Sequence, residues 1–368
     1  MKGAKVAATG APPDPAELSE PPPPHLAPQT FAPYTHLPVS ARRPKVAIIG
    51  TRFGDFDIER DVLGNVELTS GPGRNPIEIL EVATGADVIL AGASPVFDAK
   101  TLEALGCRAI VRLGVGVDGV DLDTARSLGM WVANVPDYGT DAVALHAVTL
   151  VLACLRRLTQ ADRQLRNGSW GVASLRPLRL PSSLTVGVVG LGRIGRRVAV
   201  MLKGVGFERF LVVEPAIEPT DLKEILGEVD ARLVELPELL GGADVVTLHA
   251  PPEARGYLLG ADQFRMMREG SILVNTARGV LVDTEALVSA LDQGRPAMAA
   301  LDVFEREPPD VTVFQSVNDR VILTPHMSWY TEESQLALRR QAAAEARRIL
   351  DSQPPLHPVV TPPTAKVG

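Results

Sequence analysis

The 368-residue sequence has little of several things that would commit a chain to one class. It holds only two cysteines, Cys107 and Cys154, both in apolar runs and neither at the spacing of a metal knuckle or a redox pair. A disulfide scaffold and a thiolate metal site are therefore not expected. The natural reading is buried free thiols in a reducing cytoplasm. Positive charge is not in excess, since 37 Lys and Arg face 44 Asp and Glu for a net charge of −7. Such a balance offers no field for a phosphate backbone, which argues against nucleic acid as a direct ligand. Long hydrophobic runs are missing too. The longest, Ala142 to Leu155, is interrupted by His146 and too short to cross a bilayer, so a buried helix rather than a membrane segment is expected. The N-terminus lacks the apolar core of a secretion signal.

What is present is the composition of a globular α/β protein, 45% apolar and 22% charged, with length enough for two domains. Residues 1–43 are rich in proline and alanine, with four prolines at Pro21 to Pro24, and show no apolar periodicity. They are expected to be a disordered tail, either passive or an extended proline ligand. From Lys45, apolar runs of four to six residues alternate with helical stretches: Lys45 to Gly50, Asp87 to Ala91, Ala109 to Leu113 and Trp131 to Val135. Strands of this kind belong in a parallel sheet covered on both faces. No GxGxxG follows the first of them, so this domain is not expected to hold a nucleotide. Asp141 to Arg166 has helical spacing, with Asp141 or Thr140 as a possible cap. Further strands are expected at Val245 to His249, Ile272 to Thr276, Met298 to Val303 and Val321 to Leu323. A final helix, Thr331 to Leu350, has acids in its first turn and arginines in its last. Residues 353–368 read as a loose tail.

The organising stretch is Leu184 to Pro215. A strand (Thr185 to Val189) runs into Gly190, Gly192 and Gly195, then a helix from Arg193 to about Val205, then a second strand ending at Glu214. Gly190 suits a tight turn, Gly192 leaves room for a pyrophosphate, and Gly195 permits close packing of helix on strand. The helix start presents free N–H groups to the pyrophosphate. Glu214 stands where a carboxylate accepts bonds from the adenosine ribose. The residues after it, Pro215 to Glu218, include no arginine to neutralise a 2′-phosphate, so NAD is expected over NADP.

Three ionisable residues fall at ends of expected strands, where ligands bind in open α/β sheets. They are Arg278, Glu307 and His326. Singly, each has a plain explanation as a loop or surface residue. Together they suit hydride transfer between NAD and a 2-oxo or 2-hydroxy acid: a guanidinium to clamp the carboxylate, an imidazole to exchange a proton near neutral pH, and a carboxylate to orient it.

The segments VGVVGLGRIG, HAP, NTARGVLVD, AALDVFEREP and TPHMSWY resemble the D-isomer-specific 2-hydroxyacid dehydrogenases. KVAIIGTRFGDFDIE and the Trp329-Tyr330 pair resemble the branch of the C-terminal binding proteins. The resemblance runs from about Lys45 to Leu350. It implies two Rossmann-like or flavodoxin-like domains with the active site in the cleft between them: 44–139 plus 330–352 for substrate, 140–329 for NAD. It implies Arg278 as carboxylate clamp, His326 as acid/base and Glu307 as its partner. It places Asp302 at the nicotinamide carboxamide and Thr276 at the nicotinamide ribose. Pro251 lies along the adenosine, and Arg193, Ile194, Pro215 and His249 join the cofactor contacts. Val115 and Gly116 supply backbone N–H groups to the substrate, with Arg112 assisting and Trp329 as a pocket wall. A homodimer is implied as well. Departures are Glu214 for the commoner aspartate and Val115 for serine or glycine; His146 has no assigned role. Trp329 suits an apolar or flat substrate side chain, and few spare cations are available for a phosphate. Because corepressor members keep the same residues, a nucleotide-sensing interaction protein is the alternative.

Overall fold

Short runs of Val, Ile, Leu and Ala become strands because both of their faces are covered. The computed structural model describes residues 42–51, 53–252 and 256–362; the proline-rich stretch 1–41 lies outside them. In the first domain β1 (Lys45–Ile49), β2 (Glu67–Gly71), β3 (Val88–Ala91), β4 (Ala109–Arg112) and β5 (Trp131–Ala133) form a parallel sheet in the order β5-β4-β3-β1-β2. Side chains alternate along β1: Val46 and Ile48 enter one core, Ala47 and Ile49 the other. The second domain carries β6 (Thr185–Val189), β7 (Arg209–Val213), β8 (Asp230–Leu233), β9 (Val245–Leu248), β10 (Ile272–Asn275), β11 (Met298–Leu301) and β12 (Val321–Leu323). Its parallel order is β12-β11-β10-β9-β6-β7-β8, so the order of strand addition reverses between β6 and β9, where a doubly wound sheet opens its ligand crevice.

Two expectations need correction. The tail beyond residue 352 is not loose as far as Pro362: β13 (Pro358–Val360) pairs antiparallel with β5, and Val360 is buried. Glu345 of the helix Glu332–Leu350 anchors it, accepting from the Leu356 backbone N–H at 2.7 Å and contacting His357 Nδ1 at 2.8 Å. The expected helix Asp141 to Arg166 is two helices, Thr140–Leu155 and Leu158–Arg166, bent by 56° where Arg157 turns left-handed. The first is packed into the core, while no residue of the second is buried. The N-cap of the first is Gly139, and Asp141 instead pairs with Arg197. No single described helix is long and apolar enough to cross a membrane.

The helix Glu332–Leu350 begins at a Thr331 cap and buries Leu338, Ala342, Ala346 and Ile349 against Val46, Leu90 and Val111. The chain therefore crosses between the sheets twice. The crossings touch: the Trp329 ring lies edge-on to Tyr138, centroids 6.2 Å apart. The same helix is tied to the helix Asp57–Leu63 by a buried two-pronged pair, Arg339 Nε to Glu59 Oε1 at 2.8 Å and Nη2 to Oε2 at 2.7 Å. The guanidinium also lies 4.7 Å from the Phe53 ring centroid and donates to the Asp55 carbonyl.

Arg339→Met leaves the fully buried Glu59 carboxylate without its partner, and breaking such a pair costs about 3–5 kcal/mol. Urea or thermal unfolding should show that loss, and Glu59→Leu added to Arg339→Met should recover most of it. A single variant as stable as the parent would contradict the assignment.

Candidate active site

The crevice at the end of β6 is lined by glycines with different tasks. Gly190 has φ of +89°, and a Cβ there would sit 2.6 Å from the Ala250 nitrogen. A Cβ on Gly195 would meet the Gly190 carbonyl at 2.0 Å, which is why this helix, Arg193–Gly204, can lie so close to the strand. At Gly192, by contrast, a Cβ would meet nothing within 4 Å, so the absent side chain leaves open space. Glu214, just past β7, reaches back to this turn. Its Oε2 accepts from the Leu191 N–H at 2.9 Å and its Oε1 from Ala216 at 3.1 Å. Arg193 is exposed and pairs with Asp137 at 2.9 Å; Ile194 packs on the core; Pro215 and Pro251 are exposed. Beyond β9, His249 Nε2 meets Thr247 Oγ1 at 2.9 Å. Burial pushes His249 down to about 3, so it is neutral. Its Nδ1 and the Thr276 hydroxyl are buried without a protein partner.

Past β10, Asn275 shapes the turn that presents Arg278, accepting from the Ala277 N–H and donating to the Arg278 carbonyl. The guanidinium crosses to the loop after β4: its Nε is 3.2 Å from Asp118 Oδ2 and its Nη2 lies 2.4 Å from where a Cβ on Gly116 would be. Arg112 is buried beneath that loop, donating to the carbonyls of Gly116 at 3.3 Å and Ala93 at 3.1 Å, with Nη1 unpartnered. Burial lowers its pKa to about 10. Val115 is exposed, with its carbonyl held by Asn134 at 2.7 Å.

His326 and Glu307 meet at 2.6 Å between Nδ1 and Oε2, and both remain partly open to solvent. The Glu307 hydrogen bond raises the imidazole pKa against the opposing effect of burial; Arg278 nearby lowers it slightly. Burial raises the Glu307 carboxyl, but the hydrogen bond and charge of His326 outweigh it and the net direction is down. The His326 backbone is left-handed, φ +49°, a conformation that costs about 1–3 kcal/mol for a non-glycine residue. Asp302 holds it there. The Asp302 carbonyl accepts from His326 N–H at 2.9 Å. Its fully buried carboxylate accepts from Met327 N–H, Ser328 N–H and the Thr324 hydroxyl at 3.0, 2.9 and 2.6 Å. Arg278, Glu307, His326, Gly116 and Arg112 thus converge on one place. Trp329 packs against Tyr138 and the first-domain core.

Residues 148–328 match the family model described as the D-isomer specific 2-hydroxyacid dehydrogenase, NAD binding domain. A glyoxylate reductase of Korarchaeum cryptofilum is 35% identical over 272 residues, 72% of this chain and 80% of the relative. The chain belongs to the D-isomer-specific 2-hydroxyacid dehydrogenases. Another member of the family, a D-3-phosphoglycerate dehydrogenase of Archaeoglobus fulgidus, is 36% identical over 274 residues, 74% of this chain but 50% of that protein. The chain therefore spans about half the length of that dehydrogenase. The crystal structure of an Aquifex aeolicus D-lactate dehydrogenase with NAD and lactic acid superposes with a TM-score of 0.75 at 26% identity, covering 86% of this chain and 99% of that one.

The cofactor of this family's nucleotide domain is NAD, and the residues here fit it. Space is open over Gly192, the Glu214 carboxylate stands beside the glycine turn at the end of β7, and two buried polar atoms, His249 Nδ1 and Thr276 Oγ1, have no protein partner. Asp118, Thr324 and His146 were not singled out from the sequence as site partners. Asp118 was the most accessible of them, two residues after Gly116 in the same loop.

Gly192→Ala should separate folding from binding. Because the added methyl enters open space, its melting temperature should equal the parent's, while NADH affinity, read by nucleotide fluorescence, falls at least ~10-fold as the pyrophosphate approach is blocked. Gly190→Ala, which collides with backbone, should lose folding itself.

Proposed function

We propose that this chain is an NAD-dependent oxidoreductase reducing a small 2-oxo acid to the D-2-hydroxy acid, and the reverse. The observation that carries the reading is the 2.6 Å Glu307–His326 pair beside the Arg278 guanidinium. When bound, the nicotinamide supplies or accepts the hydride. Arg278 exchanges Asp118 for the substrate carboxylate in two-pronged geometry and polarises the adjacent carbonyl. Val115 and Gly116 offer backbone N–H groups to the same carboxylate. His326 gives its proton to the alkoxide oxygen, and Glu307 stabilises the imidazolium beforehand. Thr276, His249, Pro251, Asp302 and Glu214 line the cofactor side. Of the cations near Gly116, one is paired and the other buried, which favours an unphosphorylated acid such as the glyoxylate named for the Korarchaeum relative. The C-terminal binding protein branch has Arg112 and Trp329-Tyr330 in its favour. No observation favours the nucleotide-sensing alternative, whose proline-rich tail lies outside the described residues.

NADH absorbance loss with a panel of 2-oxo acids tests this, and His326→Ala should slow turnover by roughly 10²–10⁴. Equal rates in parent and variant would end the reading. Reduction needs the charged imidazole, so its rate should be full at low pH and fall as pH rises through the raised His326 pKa. Glu307→Gln should move that fall to lower pH.

We also propose a homodimer. Along residues 145–180 the surface exposes Leu145, Leu158, Leu165, Val172 and Leu180, with Trp170 at 90%. Apolar exposure of this kind suits a second copy of the chain. Trp170→Ser should shift light-scattering mass towards the monomer; a parent that is already monomeric would refute the proposal.

A further inference from the structure

The linker helix Thr140–Leu155 lies against β10 and β11 and brings one histidine to the foot of the active-site loop. His146 Nε2 is 3.1 Å from Thr324 Oγ1 and 3.6 Å from Asp302 Oδ1. The Thr324 hydroxyl has a single proton, and at 2.6 Å it goes to the Asp302 carboxylate. The imidazole must therefore donate from Nε2. The result is a directed chain, His146 Nε2–H to Thr324 Oγ1–H to Asp302 Oδ1, from the first domain crossing into the carboxylate that shapes the second.

We propose that His146 is a positioning residue: through Thr324 and Asp302 it sets the backbone pose in which His326 meets Glu307. The inference rests on the reading of His326 as acid/base. Its logic is geometric. The left-handed turn at His326 is imposed by Asp302, whose carboxylate Oδ1 is shared among Thr324, Met327 and the approach of His146. Without the imidazole, the Thr324 hydroxyl loses the donor that fixes its rotamer, its bond to Asp302 Oδ1 weakens, and the Met327 and Ser328 N–H bonds to the same carboxylate shift with it. The 2.6 Å contact between His326 and Glu307 then lengthens. The charged groups facing His326 are Glu307, Asp302 and Arg278, and only the first two favour its protonated form.

The test compares His146→Leu with His146→Gln in full-length protein. Gln places a donating nitrogen where Nε2 stands, and Leu fills the volume without one. In ¹⁵N-histidine NMR of the protein alone, His326 should titrate at lower pH in the Leu variant and near the parent value in Gln. With NADH and the best 2-oxo acid, kcat should fall about 10- to 100-fold in Leu, as for a small misplacement of a reacting group. Thr324→Val provides the same interruption if His146→Leu does not fold. An unshifted His326 titration in a folded Leu or Val variant, or equal damage in Gln and Leu, would overturn the proposal. The titration needs no turnover, so failure of the enzyme reading and failure of this one are distinguishable.

Discussion

A carboxylate taken wholly out of water is costly unless donors surround it, and Asp302 is the one on which this site depends. Three bonds to its carboxylate compensate that desolvation, and with a fourth to its main-chain carbonyl they are spent on a single object, the turn that carries His326. The strain of a left-handed histidine is thereby held by a group that touches neither Arg278 nor Glu307. For the proton transfer proposed for His326, geometry comes before pKa, and the buried acid fixes that geometry. Opposite it, Arg278 is held across the cleft by Asp118 and seated on Gly116, so both halves of the site are ordered by charges that are not themselves the reacting groups.

Much of the fold was legible because central parallel strands announce themselves. Val88 to Ala91 and Val245 to Leu248 are wholly buried, and their runs are continuous. The strands not anticipated were β2, β8 and β13, each at a sheet edge with one side or more in water. ELTSG, DARL and PVV have no apolar run to detect, since their pairing is decided by an already formed neighbour. The break at Arg157 was hidden for a similar reason. Helical spacing persists through Leu165, but the core that would receive it ends near Leu155.

In the site, the glycines, Arg278, Glu307 and His326 were readable because each lies at a strand end in a recognisable run. Their supports were not. Arg278 finds Asp118 160 positions away, His146 finds Thr324 178 away, and Arg339 finds Glu59 280 away. No local pattern encodes such meetings; they follow from two sheets joined by two crossings. The contact of Trp329 with Tyr138 is of the same kind, a meeting of the two crossings that neither local run announces.

The antiparallel strand β13 has a further consequence for how the molecule is made. The first sheet draws on residues 45–133, then on a helix at 332–350, and closes with 358–360, whereas the second sheet is contiguous from 185 to 323. As the chain leaves the ribosome, Trp131 and Val132 are therefore made before the nucleotide half and long before β13, the strand that pairs with their own. The segment that seals the first domain emerges only after the second domain's last strand.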